Sequence, residues 1–314
     1  MPDPQVAAET CAALGAAQHQ FDAYPGRDVA LGQLTVTRLL PVRGRRLIGP
    51  WCFLDRFAPH GVDDATGMDV GSHPHMGLQT VTWLLDGELV HYDSLGVEAA
   101  LRPGGVNVMT SGAAIAHAER TPTGTVGRMS GVQLWTALPA TDRNMKASFQ
   151  HVERVPLAER PGGVVQVFAG AADGLQSPAA YYSGIFGGDI QLHPNADLDL
   201  PLEARFEYAA LVLSGDASID RQPMEQRILY YLGANRTTAC FSSRMGGRLL
   251  LVGGPPFPET ILMWWNFVAR TPQEIIEAHA DWAQHRRFGE VRGYSGPRLD
   301  APNLLKFASA NPIS

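Results

Sequence analysis

Along most of the chain, apolar and polar positions alternate over five to eight residues and are punctuated by Gly, Pro, Asn and Asp, a pattern that predicts short β-strands. The β-branched and apolar stretch VALGQLTVTRLLP (29–41) predicts the first strand of the body, and LIGPWCFLDRF (47–57) predicts another. Turn residues fill 58–72, which reads as a long loop. QTVTWLL (79–85) runs into Asp86-Gly87, a pair suited to a type I′ turn, so a hairpin is expected with ELVHYDS as its return strand. An RPGG turn at 102–105 precedes VNVMTSG, AIAHAER (114–120) and VQLWTAL (132–138). The polar, turn-rich segment 138–152 reads as a crossover. Beyond it the rhythm resumes with VVQVFAG (164–170), YYSGIFGGDIQLH (181–193), FEYAALVLSGDASI (206–219), QRILYYLG (226–233) and RLLLVGG (248–254). Short strands at this spacing predict sandwiches or small barrels, here two of them.

Two segments depart from this period. Residues 5–18 are alanine-rich and could form a helix with a weak amphipathic pattern. TPQEIIEAHADWAQHRRFG (271–289) carries a helix-start signature: Thr271 as N-cap, Pro272 at the first helical position and Glu274 three residues after the cap, with Gly289 as the stop. The last 20 or so residues, rich in Pro, Ser and Asn, read as a tail or extended arm.

With 314 residues, 45% hydrophobic and 18% charged, 33 Gly and 23 Pro, the chain suits a turn-rich β-fold of two domains. A formal charge of -6 gives no basis for direct nucleic-acid binding, and the basic run RGRRL (43–47) reads as a solvated turn. Cys11, Cys52 and Cys240 are too few and too scattered for a disulfide framework or a thiolate cluster. The start of the chain has no basic leader before an apolar core. The longest apolar stretch, ILMWWNFVA (261–269), is far shorter than a membrane span and contains Asn266. A cytoplasmic protein without membrane association is expected.

The chemistry concentrates in two short motifs. In an extended strand, residues two apart share a face, so His73 and His75 in GSHPHMG can direct both imidazoles into one cavity, and His117 and Glu119 in AIAHAE share the same relation. Together they could hold a single iron, manganese, copper, nickel or zinc ion with positions left open for ligands. Either pair alone is equally compatible with solvent-facing side chains. Among other candidates, His60 could reach over such a site from its loop, and His91 is either an orienting donor or an ordinary surface residue. Trp51, Phe53, Trp83 and Met109 are core or pocket residues, Cys52 has no base partner at readable spacing, and His193 stands by itself in the second half.

The run HPHMGLQTVTWLLDGELVHYDSLG, with LRPGGVNVMTSGAAIAHAE, VQLWTALP and GGPPFPETILMWWNFVARTPQEIIEAHADWAQHRRFG, resembles the pirin family of the cupin superfamily over about residues 29–289. The resemblance implies an all-β bicupin: two antiparallel β-barrel (jelly-roll) domains and a C-terminal helix. It places an N-terminal extension at 1–28, a metal-binding cupin domain at 29–144, a cupin domain without metal at 145–292 and a C-terminal tail at 293–314. It further implies a monomer whose metal ligands are His73, His75, His117 and Glu119, and iron as the usual ion. The activity it implies is quercetin 2,3-dioxygenase-like, with dioxygen and a small aromatic as substrates and Glu119 as both ligand and general base. A non-enzymatic iron-dependent regulator binding a transcription factor or metabolic enzyme is the alternative, and a zinc-type hydrolase or isomerase a third reading. Pirins commonly have HPHRGFETVT and TAGxGIxHSE, where this chain has Met76, Gln79 and TSGAAIAHAE. Loss of the arginine and glutamate is expected to remove two charges near the pocket.

Overall fold

Strand alternation decides what faces what. In Leu78–Asp86, Val81 and Trp83 enter a cluster shared by both halves of the chain, whereas Leu84 packs with Val36, Phe57 and Leu101 within the first half. Glu207–Gly215 repeats the pattern: Ala209, Leu211 and Leu213 enter the shared cluster, and Tyr208, Ala210 and Val212 face a core belonging to the second half. The computed structural model, which describes residues 21–31, 34–62 and 67–304, therefore stacks its sheets in four layers.

In the first half a seven-stranded sheet runs in the order 148–152, 106–110, 78–86, 127–137, 51–62, 34–40 and 27–31. It is backed by a four-stranded sheet ordered 69–75, 115–120, 89–93 and 98–101. The second half pairs an eight-stranded with a four-stranded sheet in the same way. The two large sheets pack on each other through Trp51, Leu54 and Trp83 on one side and Phe168, Leu211 and Leu250 on the other. All pairings between named strands are antiparallel, and the architecture is the all-β bicupin with a C-terminal helix that the sequence led us to expect.

The halves exchange edge strands. Asp22–Pro25 pairs with Ile228–Gly233 in the second half's large sheet, and Ser148–Val152, beyond the 144/145 division, pairs with Val106–Thr110 in the first. Indole hydrogen bonds also cross the junction: Trp51 Nε1 donates to the carbonyls of Phe186 (3.0 Å) and Gly253 (3.1 Å), and Trp83 Nε1 donates to Asp189 (2.7 Å), which Arg248 neutralises. A buried indole keeps its N–H satisfied in this way while its rings fill the core.

Several sequence expectations are corrected. The stretch 29–41 is two antiparallel strands, Arg27–Leu31 and Leu34–Leu40, with Leu31 opposite Leu34. The expected loop at 58–72 is largely strand, because Trp51–Val62 pairs with Gly127–Ala137 as far as Val62 and the histidine strand begins at Asp69. Asp86-Gly87 makes no hairpin. Leu78–Asp86 and Leu89–Asp93 belong to different sheets, and the Asp86 carboxylate instead accepts from the Ser130 hydroxyl at 2.7 Å, so the pair turns a corner of the sandwich. Arg45, expected in a solvated turn, lies 3.6 Å over the Tyr231 ring at the junction of the halves. The proposed helix at 5–18 lies outside the described residues.

The C-terminal helix spans Pro272–Ala283. Thr271 caps it as expected, accepting from the Glu274 N–H, and the Glu274 carboxylate in turn accepts from the Arg270 N–H at 3.0 Å and pairs with Arg143. It ends before Gly289, because His285 and Arg287 take positive φ (55° and 67°) and fold Phe288 back against Trp282. Residues 297–299 run beside the histidine strand: Ser72 N–H donates to the Pro297 carbonyl and Leu299 N–H to the Ser72 carbonyl, both at 2.8 Å.

Candidate metal centre

Three adjacent strands of the small sheet build the site. His117 lies opposite His73 on one side and Asp93 on the other, and Glu119 lies opposite His91. With a strand period of two, His73, His75, His117, Glu119, His91 and Asp93 all point into the sandwich. A bulge on the histidine strand sets Glu119 opposite Val70, so Gly71 and Ser72 share one partner position.

The donor atoms of His73, His75 and His117 lie within 4.8 Å of one another. Glu119 joins a second trio, with His91 and His117, on the same scale. His117 belongs to both. All five side chains are buried. His73 Nδ1 donates to the Gly71 carbonyl at 2.8 Å, which fixes its tautomer and leaves Nε2 as a lone-pair donor. His117 Nδ1 stands 3.4 Å from His91 Nδ1, and its Nε2 is buried without a hydrogen-bond partner. His91 itself is held by Asp93 at 3.3 Å and lies flat on Phe149. An orphaned buried imidazole nitrogen beside two further imidazoles is the arrangement a divalent ion satisfies, so the residues present fit a mononuclear metal.

Electrostatics agree with that donor set. Burial is the main cause that lowers His73 from its ordinary 6.5 to about 4, and it pushes His75 and His117 well down too, so all three are neutral and able to ligate at pH 7. Burial raises Glu119, opposed by His91 and by the Thr82 hydroxyl at 3.3 Å. A consequence follows for the metal-free protein. Between pH 6.5 and about 4 the unfolded chain protonates His73 while the folded chain does not, so stability falls as pH drops through that window. His73 alone contributes up to about 3 kcal/mol, and His75 and His117 act in the same sense. Glu119, being raised, acts oppositely from its ordinary 4.5 upward. Urea midpoints of chelator-treated protein are expected to fall steadily from pH 7 to pH 4.5; a flat profile contradicts buried neutral imidazoles.

The opposite sheet supplies the rest of a cavity of about 380 Å³ whose floor includes His73, His75, His117 and Glu119. Phe53 stacks on Trp135 (3.9 Å, 11°), the Arg38 guanidinium covers the other side of Phe53 at 4.5 Å, and His75 meets Trp135 edge-on at 5.0 Å. These side chains form one continuous column ending at a metal-competent histidine. Arg38 forks onto Asp55 at 2.8 and 2.7 Å. The Thr82 hydroxyl lies 3.0 Å from Gln133 Oε1 as well as near Glu119, and Gln133 Nε2 is buried without a partner. Cavities of this size and mainly apolar lining suit small planar ligands.

Other candidates separate cleanly. Phe53 lines the cavity, whereas Trp51, Trp83 and Met109 do not. His60 is absent from the wall and binds the Ala58 carbonyl at 3.1 Å. His91 is no surface residue; its HxD spacing with Asp93 repeats that of the two ligand motifs and was the signal available for it. Cys52 is buried with its thiol pushed up to about 12, which makes it inert. His193 is exposed, and among the described residues the second half holds no cluster of ligand side chains. Met76 and Gln79 do not line the cavity, although Met76 directly follows His75, which does. Met76 packs with Phe267 and Trp282, its sulfur accepting from Arg287 at 3.0 Å. Gln79 reaches Thr110 (3.0 Å) and the Ala180 carbonyl (3.2 Å) at the junction of the halves.

Comparison with known proteins adds an independent line. Residues 33–136 match the family description Pirin, and 188–289 match the Pirin C-terminal cupin domain. A Pseudomonas aeruginosa protein that carries the name "Putative quercetin 2,3-dioxygenase" is 41% identical over 274 residues, 87% of each chain. A pirin-like protein of Caulobacter vibrioides is 35% identical over 85% of this chain and 93% of its own. The crystal structure of a quercetin 2,3-dioxygenase from Acinetobacter baumannii superposes with a TM-score of 0.87 at 38% identity, covering 90% of this chain and 95% of that one.

Proposed function

Because the chain belongs to the pirin family, we propose that it is a mononuclear metal-dependent dioxygenase acting on quercetin-like flavonols or related enolisable aromatics, with iron as its ion. One observation carries this reading: three buried neutral imidazoles and a carboxyl group meet on the floor of a cavity whose wall is an aromatic column. The Acinetobacter and Pseudomonas relatives carry quercetin 2,3-dioxygenase names, which supports the substrate class.

His73, His75, His117 and Glu119 would hold the metal. Once bound, the ion would supply a coordination position for the substrate's enolate oxygen and the electron chemistry with dioxygen. The chain's own groups do the rest. Glu119, whose Oε1 lies 3.3 Å from the Thr82 hydroxyl, is the carboxyl group placed to accept the hydroxyl proton as the enolate forms, and burial has already raised its basicity. Phe53 and Trp135 fix the plane of the ring system beside His75. The apolar wall keeps water from the enolate.

Elemental analysis of protein purified without added metal is expected to find near-stoichiometric iron, and an oxygen electrode to record uptake with quercetin. Glu119→Gln should lower turnover by about 10²–10⁴-fold, the range for loss of a general base, with metal content reduced much less. Wild-type turnover in that variant removes the base assignment. A metal-free protein without turnover leaves the dioxygenase reading without support and favours the regulatory alternative.

A further inference from the structure

Two stretches outside both matched regions complete the cavity: Val29, Ala30 and Leu31 before the first match, and Leu299 after the second. With Trp265 they include its half-exposed apolar side chains, the rim rather than the floor. Leu299 is held by three separate anchors. Its N–H donates to the Ser72 carbonyl and its carbonyl accepts from Trp282 Nε1, both at 2.8 Å, while the neighbouring Arg298 lies 3.3 Å over the Trp282 ring. The histidine strand is shaped to receive it. A Cβ at Gly71 would lie 2.5 Å from the Pro297 carbonyl oxygen and 3.1 Å from Leu299 Cδ2, so glycine is needed there for the two segments to meet.

We infer that residues 297–299 form a specificity strap, and that Leu299 sets how long a planar ring system the cavity retains. The inference rests on the reading of the cavity as a site for planar aromatics. A ligand that reaches the rim contacts Leu299; a shorter one packs against the edges of the Phe53–Trp135 column without touching the strap. Because Leu299 lies on the rim and the metal-competent residues on the floor, this selection operates in binding alone, with or without an ion.

The test uses metal-free full-length protein and the quenching of tryptophan fluorescence, for which Trp135 and Trp265 are placed in the wall. Quercetin is compared with 3-hydroxychromone, the same fused chromone pair without the pendant ring and without the 5- and 7-hydroxyls. Leu299→Ala is expected to weaken quercetin about tenfold, the scale of a few lost methylenes in an apolar pocket, and to leave 3-hydroxychromone within twofold. Gly71→Ala, which must push the strap away, is expected to give the same split by a different route. Equal changes for both ligands, or none for either, overturn the strap's role while leaving the dioxygenase reading intact. If wild-type protein binds neither ligand, the reading of the cavity falls and the strap's role falls with it; absence of oxygen uptake by the iron-loaded protein, with this binding pattern preserved, counts against the dioxygenase chemistry only.

Discussion

Alanine at both His73 and His75 is expected to reduce bound metal from near-stoichiometric to trace and to abolish oxygen uptake with quercetin, in a protein that still folds. Removing partners that merely orient a ligand typically costs about 10–100-fold in metal affinity, and removing two of three converging imidazoles must exceed that range. Folding survives because both side chains face the cavity rather than a packed core. Their loss also removes two buried groups that resist protonation, so the metal-free double variant is expected to be less sensitive to acid than the metal-free parent. Elemental analysis and urea midpoints at pH 7 and 5 measure both effects. Stoichiometric metal in the double variant places the ion elsewhere, and unchanged acid sensitivity removes these imidazoles as its cause.

Trp51→Ala is expected to have the largest effect on stability. The side chain is fully buried where the two large sheets meet, and its indole N–H serves one carbonyl from each of two second-half segments, Phe186 and Gly253. Truncating a core tryptophan costs about 3–5 kcal/mol, and here two buried acceptors lose their donor as well. For a chain of this size the melting temperature is expected to fall by roughly 5 °C or more. Calorimetry should record one transition for both proteins, because the lost contact joins the halves. A decrease of under about 1 kcal/mol, or separate transitions for the two halves of the parent, contradicts the shared core.

Much of this was legible in the sequence, because the strand period and short motifs are local. His73 with His75, and His117 with Glu119, were placed on common faces by spacing alone, and the helix start at Thr271 by its capping residues. What escaped was set by register between distant strands. Trp51 and Phe53 are two apart yet face opposite sides, since the pairing shifts between Phe53 opposite Trp135 and Trp51 opposite Thr136. The column of Arg38, Phe53 and Trp135 needs three strands brought side by side, which no window of sequence reveals. The Asp86-Gly87 pair misled because its turn preference is real while the destination of the following strand is decided by the sandwich. His91 and Asp93 in HYD obey the same two-residue period as HPH and HAE, but only the pairing of their strand with that of His117 turns the pair inward.

The exchange of edge strands bears on how the chain must be made. The first half cannot complete its large sheet until residue 152 has been synthesised, and Asp22–Pro25 must wait for Ile228–Tyr231, about 200 residues later. At roughly 5–20 residues per second, a short N-terminal strand stays without its partner for about ten to forty seconds on the ribosome. During that interval an unpaired edge is open to any other strand in reach, including one from a neighbouring nascent chain. Slower elongation between residues 152 and 231 therefore raises the share of protein lost to aggregation, even though every contact in the finished molecule is unchanged.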